Sequence, residues 1–253
     1  MRERSQQRVR PDAFPVAKDG FRLRGTEMTR LETFTDAAFA FAVTLLVVSV
    51  ESVPQSFDEL TGALRALPIF GASFAILMIF WHGHWRWSQR FGMEDGTSTL
   101  LSLALVFTVL SYVYPLRYMW TVLTHWISGG TLASDAVLES RRQLDLLLGI
   151  YGVGFCAMAL VLAALNAHAL RRQAELDLDE VERFETRGET VSWLLIAGVG
   201  ALSATIAISG LGPAGIGGWV YMTMPVLMPG WAYTHYRRRV RLDEALAGGL
   251  RET

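Results

Sequence analysis

Between residues 190 and 236 the chain runs for 47 residues without a Lys, Arg, Asp or Glu. A bilayer core takes about 20 apolar residues in a helix, so this run is long enough for two crossings. Residues 146–170 and 97–116 form two further charge-free blocks, each as long as one crossing. Charges are crowded between these blocks instead of recurring along them. A soluble amphipathic helix carries polar residues on one face throughout its length. The segregation therefore points to an all-α integral membrane protein, in which helices satisfy their own backbone groups inside lipid.

Six spans are expected, at about 30–50, 60–81, 97–120 or beyond, 144–170, 191–209 and 219–236. Residues 210–218, rich in glycine, read as the tight turn between the last two. The first span is the least secure on length. Its uninterrupted apolar stretch, 37–50, would suit a soluble core helix equally well. A five-span chain with helix one outside the membrane core is the alternative. With six spans and the N-terminus inside, segments 1–30, 82–96, 171–189 and 237–253 face the cytoplasm, and they hold 19 of the 23 Lys and Arg residues. The positive-inside bias places both termini there, in a multi-pass protein of the cell (inner) membrane. Trp81, Trp85, Trp87, Trp120, Trp126, Trp193, Trp219 and Trp231 fall near span ends, as an interfacial belt requires. The expected organisation is a disordered cytoplasmic arm over 1–29, a transmembrane domain over 30–236 and a basic cytoplasmic tail over 237–253.

Helix one carries the most informative residues. To span, it must take in Glu32, Thr33, Thr35 and Asp36, and polar groups at that depth face protein or water rather than lipid. At 100° per residue, Phe34, Ala37, Phe41, Leu45 and Val48 form one stripe with Thr44 at its edge, and Asp36 points about 140° away from Phe41. Pattern alone leaves that stripe open as a lipid-facing face, a core face or a pore face. Arg30 and Asp36, six residues apart, lie on different faces. Each is expected to bind groups on another helix or a neighbouring subunit, with Trp81 or His84 as candidates.

The run Arg30-x-x-x-Phe34-Thr35-Asp36 resembles the R-x-x-x-F-S-D signature of the transmembrane protein 175 family of potassium channels, with Thr35 in place of the usual Ser. The Ala-x-Phe-Ala-x-Ala-x-Thr-Leu-Leu run that follows resembles the family's first helix. The Phe80-Trp81-x-x-His84 end of helix two is similar as well. Six spans with cytoplasmic termini match the bacterial members over nearly the whole chain. The resemblance implies a homotetramer with a central K⁺ pore lined by helix one of four subunits. It also implies an apolar constriction at Phe41, Leu45 and Val48, with the selectivity-linked threonine at Thr44. It makes Arg30, Phe34, Thr35, Asp36, Trp81 and His84 a structural motif network. The innermost constriction position, usually Ile or Leu, is Phe41 here, a departure that bears on conductance and selectivity. No carbonyl filter sequence of the Thr-Val-Gly-Tyr-Gly kind is present.

Other chemistries find little support. His82 and His84, at i and i+2 of a helix, diverge and do not share a metal. His125 and His168 are expected at opposite membrane depths, which excludes a paired haem site. The glycines of 210–218 join two apolar helices, the wrong context for phosphate. The basic residues border apolar blocks instead of forming a nucleic-acid face. Cys156, the single cysteine, sits in an apolar block as a small hydrophobe. The mixed charges of 171–189 read as a solvated helix, with a cation-concentrating vestibule or regulatory site as the sharper reading. No enzyme, cofactor or metal is expected. A proton-conducting channel or a small cation transporter of the same architecture is the alternative function.

Overall fold

The computed structural model describes residues 14–48, 55–129, 138, 140–210 and 212–249. Within these the chain is helical: α1 Arg30–Val48, α2 Phe57–Arg65, α3 Leu67–Phe91, α4 Gly96–Ile127, α5 Arg141–Arg171, α6 Glu180–Ser209, α7 Ile216–Trp219 and α8 Met224–Gly249, with a 3-10 turn at Val220–Thr223 before α8. The chain is a membrane protein. Helices α3, α4, α5 and α6 are each long and apolar enough to cross a bilayer. Helix α1, of 19 residues, carries Arg30, Glu32 and Asp36 in its first two turns and is apolar beyond them. Helix α8 falls short because its second half is polar, from Arg237 to Glu244.

Helix limits follow local chemistry. Asp95 caps α4 by accepting from the N–H groups of Thr97 and Ser98, both at 2.9 Å. Asp179 and Glu182 form a capping box that starts α6 eleven residues before the span expected at 191–209. Glycines in the left-handed region end α3 at Gly92 (φ 57°) and α6 at Gly210 (φ 64°), where other residues would be strained. The expected second helix, 60–81, is divided: α2 ends before Ala66 and α3 restarts with Pro68 in its first turn. The expected sixth helix, 219–236, begins as α7 and a 3-10 turn and then continues to Gly249, so the basic tail is mostly helix.

The core lies among α3, α4, α5 and α6. Helices α5 and α6 cross most closely at Gly152 and Gly200. A Cβ on Gly200 would stand 2.9 Å from both the Cys156 amide nitrogen and the Gly152 carbonyl oxygen. Close backbone approach of this kind is how helices associate in membranes, where no hydrophobic drive separates lipid from side chain. Phe80 of α3 fits edge-on to Phe155 of α5 (5.4 Å between centroids) and lies 5.8 Å from the Trp193 ring of α6. Tyr112 of α4 covers Gly154 and donates its hydroxyl to the Tyr151 carbonyl at 3.0 Å.

The disordered arm expected over 1–29 is corrected for residues 14–29, which dock on the arginine-rich end of the bundle; residues 1–13 lie outside the described residues. Phe21 is fully buried against Phe91. The Arg90 guanidinium lies 4.5 Å over the Phe21 ring and pairs with Asp19. The backbone N–H of Gly25 donates to the Gln89 carbonyl at 3.0 Å. Arg22 and Arg24 converge on Glu182, whose side chain is wholly buried. The arm therefore enters α1 already fixed to both α3 and α6.

Candidate functional site

Helix α1 has two unlike faces. Glu32, Thr35, Phe39, Ala42 and Leu46 recur at helical spacing and are all buried, packing α1 onto α3 and α4. The opposite face is uncovered in a single subunit: Phe34 is 52 % exposed and Phe41 56 %, with Ala37, Ala40 and Thr44 exposed beside them. Leu45 is half-buried at the margin. Val48 ends α1, and its side chain lies outside the described residues. Phe34, Ala37 and Phe41 of the stripe read from periodicity thus lie on the face that α1 turns away from the rest of the chain, with Leu45 at its margin.

Polar contacts fix the rotation of the helix. Thr29 accepts from the Glu32 N–H at 3.0 Å and caps the first turn. Asp36 accepts from Trp81 Nε1 at 2.8 Å, and Glu32 from Gln89 Nε2 at 3.1 Å. Both donors belong to α3, so two carboxylates tie α1 to one neighbour at two levels. A hydrogen bond to a charged group contributes about 1.5–3 kcal/mol, enough to hold one rotation against a slip. The Thr44 hydroxyl donates to the Ala40 carbonyl at 3.0 Å, and Thr35 to Leu31 at 2.9 Å.

The six motif positions do not form one network within the subunit. Asp36 and Trp81 are joined, as one of the expected pairings. His84 is not joined to Arg30 or Asp36. It is buried and shares a 2.9 Å hydrogen bond with Ser102 of α4, because it lies on the face of α3 turned toward that helix. Arg30 is exposed and has no ion-pair partner among the described residues, since the first turn of α1 turns it outward. Thr35 is buried and bonded within its own helix. His168, far from any haem arrangement, meets Asp95 at 2.9 Å, and Arg172 meets the same carboxylate oxygen at 2.7 Å.

Glu182, one of six acidic residues in the mixed charges of 171–185, is the anchor of the arm. It collects Arg22 Nε and Nη2 at 3.2 and 2.7 Å, and Arg24 Nη1 and Nη2 at 2.9 and 2.8 Å. It also accepts the backbone N–H groups of Arg22 (2.9 Å) and Asp179 (3.1 Å). The spacing Asp179-x-x-Glu182, a helix-start signature within the mixed charges of 171–189, is the signal available for it.

Residues 30–114 match the model of the family described as the endosomal/lysosomal potassium channel TMEM175. A protein of Marivirga tractuosa described as a potassium channel is 34% identical over 193 residues, covering 74% of this chain and 78% of its own. The solved T38A variant of the potassium channel MtTMEM175, in complex with a nanobody–MBP fusion, superposes with a TM-score of 0.72 at 28% identity. It covers 92% of this chain and 100% of that one. A lysosomal potassium-selective channel TMEM175 homolog from Chamaesiphon minutus shares the fold, with a TM-score of 0.52 at 21% identity over 81% of this chain and 96% of its own. These relatives are channels and not enzymes. The matched segment begins at Arg30, the first residue of α1, and contains both faces of that helix. On the length and level of this agreement, the chain belongs to the transmembrane protein 175 (TMEM175) family.

Proposed function

We propose that four copies of this chain assemble around α1 into a K⁺-permeable pore of the cell (inner) membrane, with both termini in the cytoplasm. In this reading α1, α3, α4, α5, α6 and the segment from α7 into α8 are the six spans of each subunit. The observation that carries it is the uncovered face of α1. Phe34, Phe41 and Thr44 stand exposed on a helix whose other face is sealed and whose rotation is fixed by Asp36 and Glu32. That face includes Phe41 and Thr44, positions at which the family resemblance puts the constriction and the selectivity-linked threonine.

Phe41, Leu45 and Val48 then form successive apolar rings, and Thr44 supplies the polar atoms between them. Such rings gate by dewetting and make an ion shed water. K⁺ holds its water less tightly than Na⁺ and loses less on entry. The Thr44 oxygens replace part of that hydration. Four Phe41 side chains narrow the innermost ring and offer π faces to a cation. No cofactor takes part; K⁺ is the permeant ion.

Reconstitution into liposomes with a K⁺ gradient tests the proposal. Flux is expected to run downhill with no second ion, which separates a channel from a transporter, and to stop in Leu45→Trp. Thr44→Ala is expected to lower K⁺ over Na⁺ selectivity, read as a shift in reversal potential. A strict monomer, or proton current without K⁺ current, would overturn the reading.

A further inference from the structure

On the outside of the bundle, where Trp193 of α6 packs onto Gly83 of α3, a groove of about 460 Å³ lies between the two helices toward the arginine-rich end. Its walls are apolar: Met78 and Ile79 of α3 face Trp193 of α6. Its lip is not. Arg86 of α3 and Glu189 of α6 meet there at 3.2 Å, with the arginine side chain 38% exposed, and His82 stands on the same rim. Glu189 is oriented from behind by Trp193 Nε1, which donates to Oε1 at 3.1 Å and leaves Oε2 toward Arg86. None of these groups belongs to α1 or to the arm, and Glu189 is the only ion-pair partner of Arg86 among the described residues.

We propose that this groove binds one zwitterionic inner-leaflet phospholipid with a primary ammonium headgroup, phosphate on Arg86 and ammonium on Glu189. The charges argue for this chemistry. An isolated arginine would select any anionic headgroup. An arginine and a glutamate side by side present plus and minus at the spacing of one ion pair, which complements a phosphate followed by an ammonium. Guanidinium forms directional hydrogen bonds to phosphate, and its remaining N–H groups are available for them. The carboxylate takes N–H donors from ethanolamine; choline has none to give. Met78 and Ile79 line the path of the acyl chain away from the lip, and the depth suits a headgroup because the arginine bias sets this end at the cytoplasmic interface. A second copy of the chain fits less well, since burying the pair in a protein seam would leave much of its hydrogen-bonding capacity unused.

Native mass spectrometry of the full-length assembled protein in detergent tests this, with palmitoyl-oleoyl phosphatidylethanolamine, phosphatidylcholine or phosphatidylglycerol added. Phosphatidylethanolamine is expected to be retained about tenfold more tightly than phosphatidylcholine, the equivalent of ~1.4 kcal/mol. Arg86→Gln is expected to weaken all three. Glu189→Gln, which keeps an acceptor for Trp193, is expected to erase the preference for ethanolamine and raise retention of phosphatidylglycerol. If Arg86→Gln does not assemble, the Glu189→Gln comparison decides alone. Equal retention of the three lipids, a parent preference for phosphatidylglycerol, an unchanged preference in Glu189→Gln, or no retained phosphatidylethanolamine because a neighbouring copy fills the groove would each overturn the proposal.

Discussion

Replacing Glu182 with Ala should free the arm that leads into α1. The carboxylate is wholly buried and accepts six hydrogen bonds, four from two guanidinium groups and two from backbone N–H groups. Removing one partner of a buried ion pair costs about 3–5 kcal/mol, because the other charge is left uncompensated. Arg22 and Arg24 are 15% and 8% exposed, so peeling of the arm returns both to water. That escape favours the lower end, about 3 kcal/mol, and shifts the loss from global unfolding to local release. At about 1.4 kcal/mol per factor of ten, the open fraction rises roughly a hundredfold. Trypsin reads this directly, because Arg22 and Arg24 are held on Glu182 in the docked arm and cleavage after them follows the open population. Cleavage within the arm should quicken by about two orders of magnitude, with the bundle beyond Arg30 still protected. Asp179→Ala removes the cap, about 1 kcal/mol, and a half-exposed 3.8 Å contact to Arg22 that adds little, and should raise the rate by no more than about tenfold. Digestion of Glu182→Ala at the parent rate would refute the idea that this carboxylate holds the arm.

Three further outcomes can be checked on purified protein. Trp81→Phe should lower stability by about 1.5–3 kcal/mol through loss of the bond to Asp36, with little added loss when Asp36→Asn is combined with it, read by thermal melting. Gly200→Ala should cost about 1–3 kcal/mol, since its Cβ would meet backbone atoms of Gly152 and Cys156 that have nowhere to move, whereas Gly198→Ala meets nothing within 4 Å and should be neutral or better. Burial pushes the Asp95 carboxyl up, but the Ser98 N–H, His168 and Arg172 outweigh it and hold the group well below the usual carboxylate range. A depressed carboxyl contributes stability that is complete above its unfolded value of about 4 and is lost as pH falls below it, so the parent melting temperature should drop more steeply than that of Asp95→Asn between about pH 4 and pH 2.

Much of the membrane architecture was legible because apolar length and charge segregation are properties of composition, and α3 to α6 lie where charge-free blocks predicted spans. Boundaries were less legible. Residues 180–189 and 82–91 fell outside the expected spans, yet both are helical and continue α6 and α3, with Glu182 and Arg90 buried against the arm. That Phe34 and Phe41 share a face of α1, with Thr44 at its edge, was legible from period alone. Which face is covered was not, because that depends on Trp81 and Gln89, which lie 45 and 57 residues beyond Asp36 and Glu32. The docking of residues 14–29 was hidden for a similar reason. Arg22 and Arg24 look like solvated charges until Glu182, about 160 residues on, is folded beneath them.

The hydroxyl of Thr44 donates its one proton to the Ala40 carbonyl inside α1. Any further bond the oxygen makes must therefore be as an acceptor. If four such oxygens surround an axis, they present only the negative ends of their dipoles to whatever lies between them. A chloride ion would find no donor there, while any alkali cation would find four acceptors. Discrimination by sign of charge would then follow from an ordinary helical back-bond, with no carboxylate in the ring and no dependence on pH.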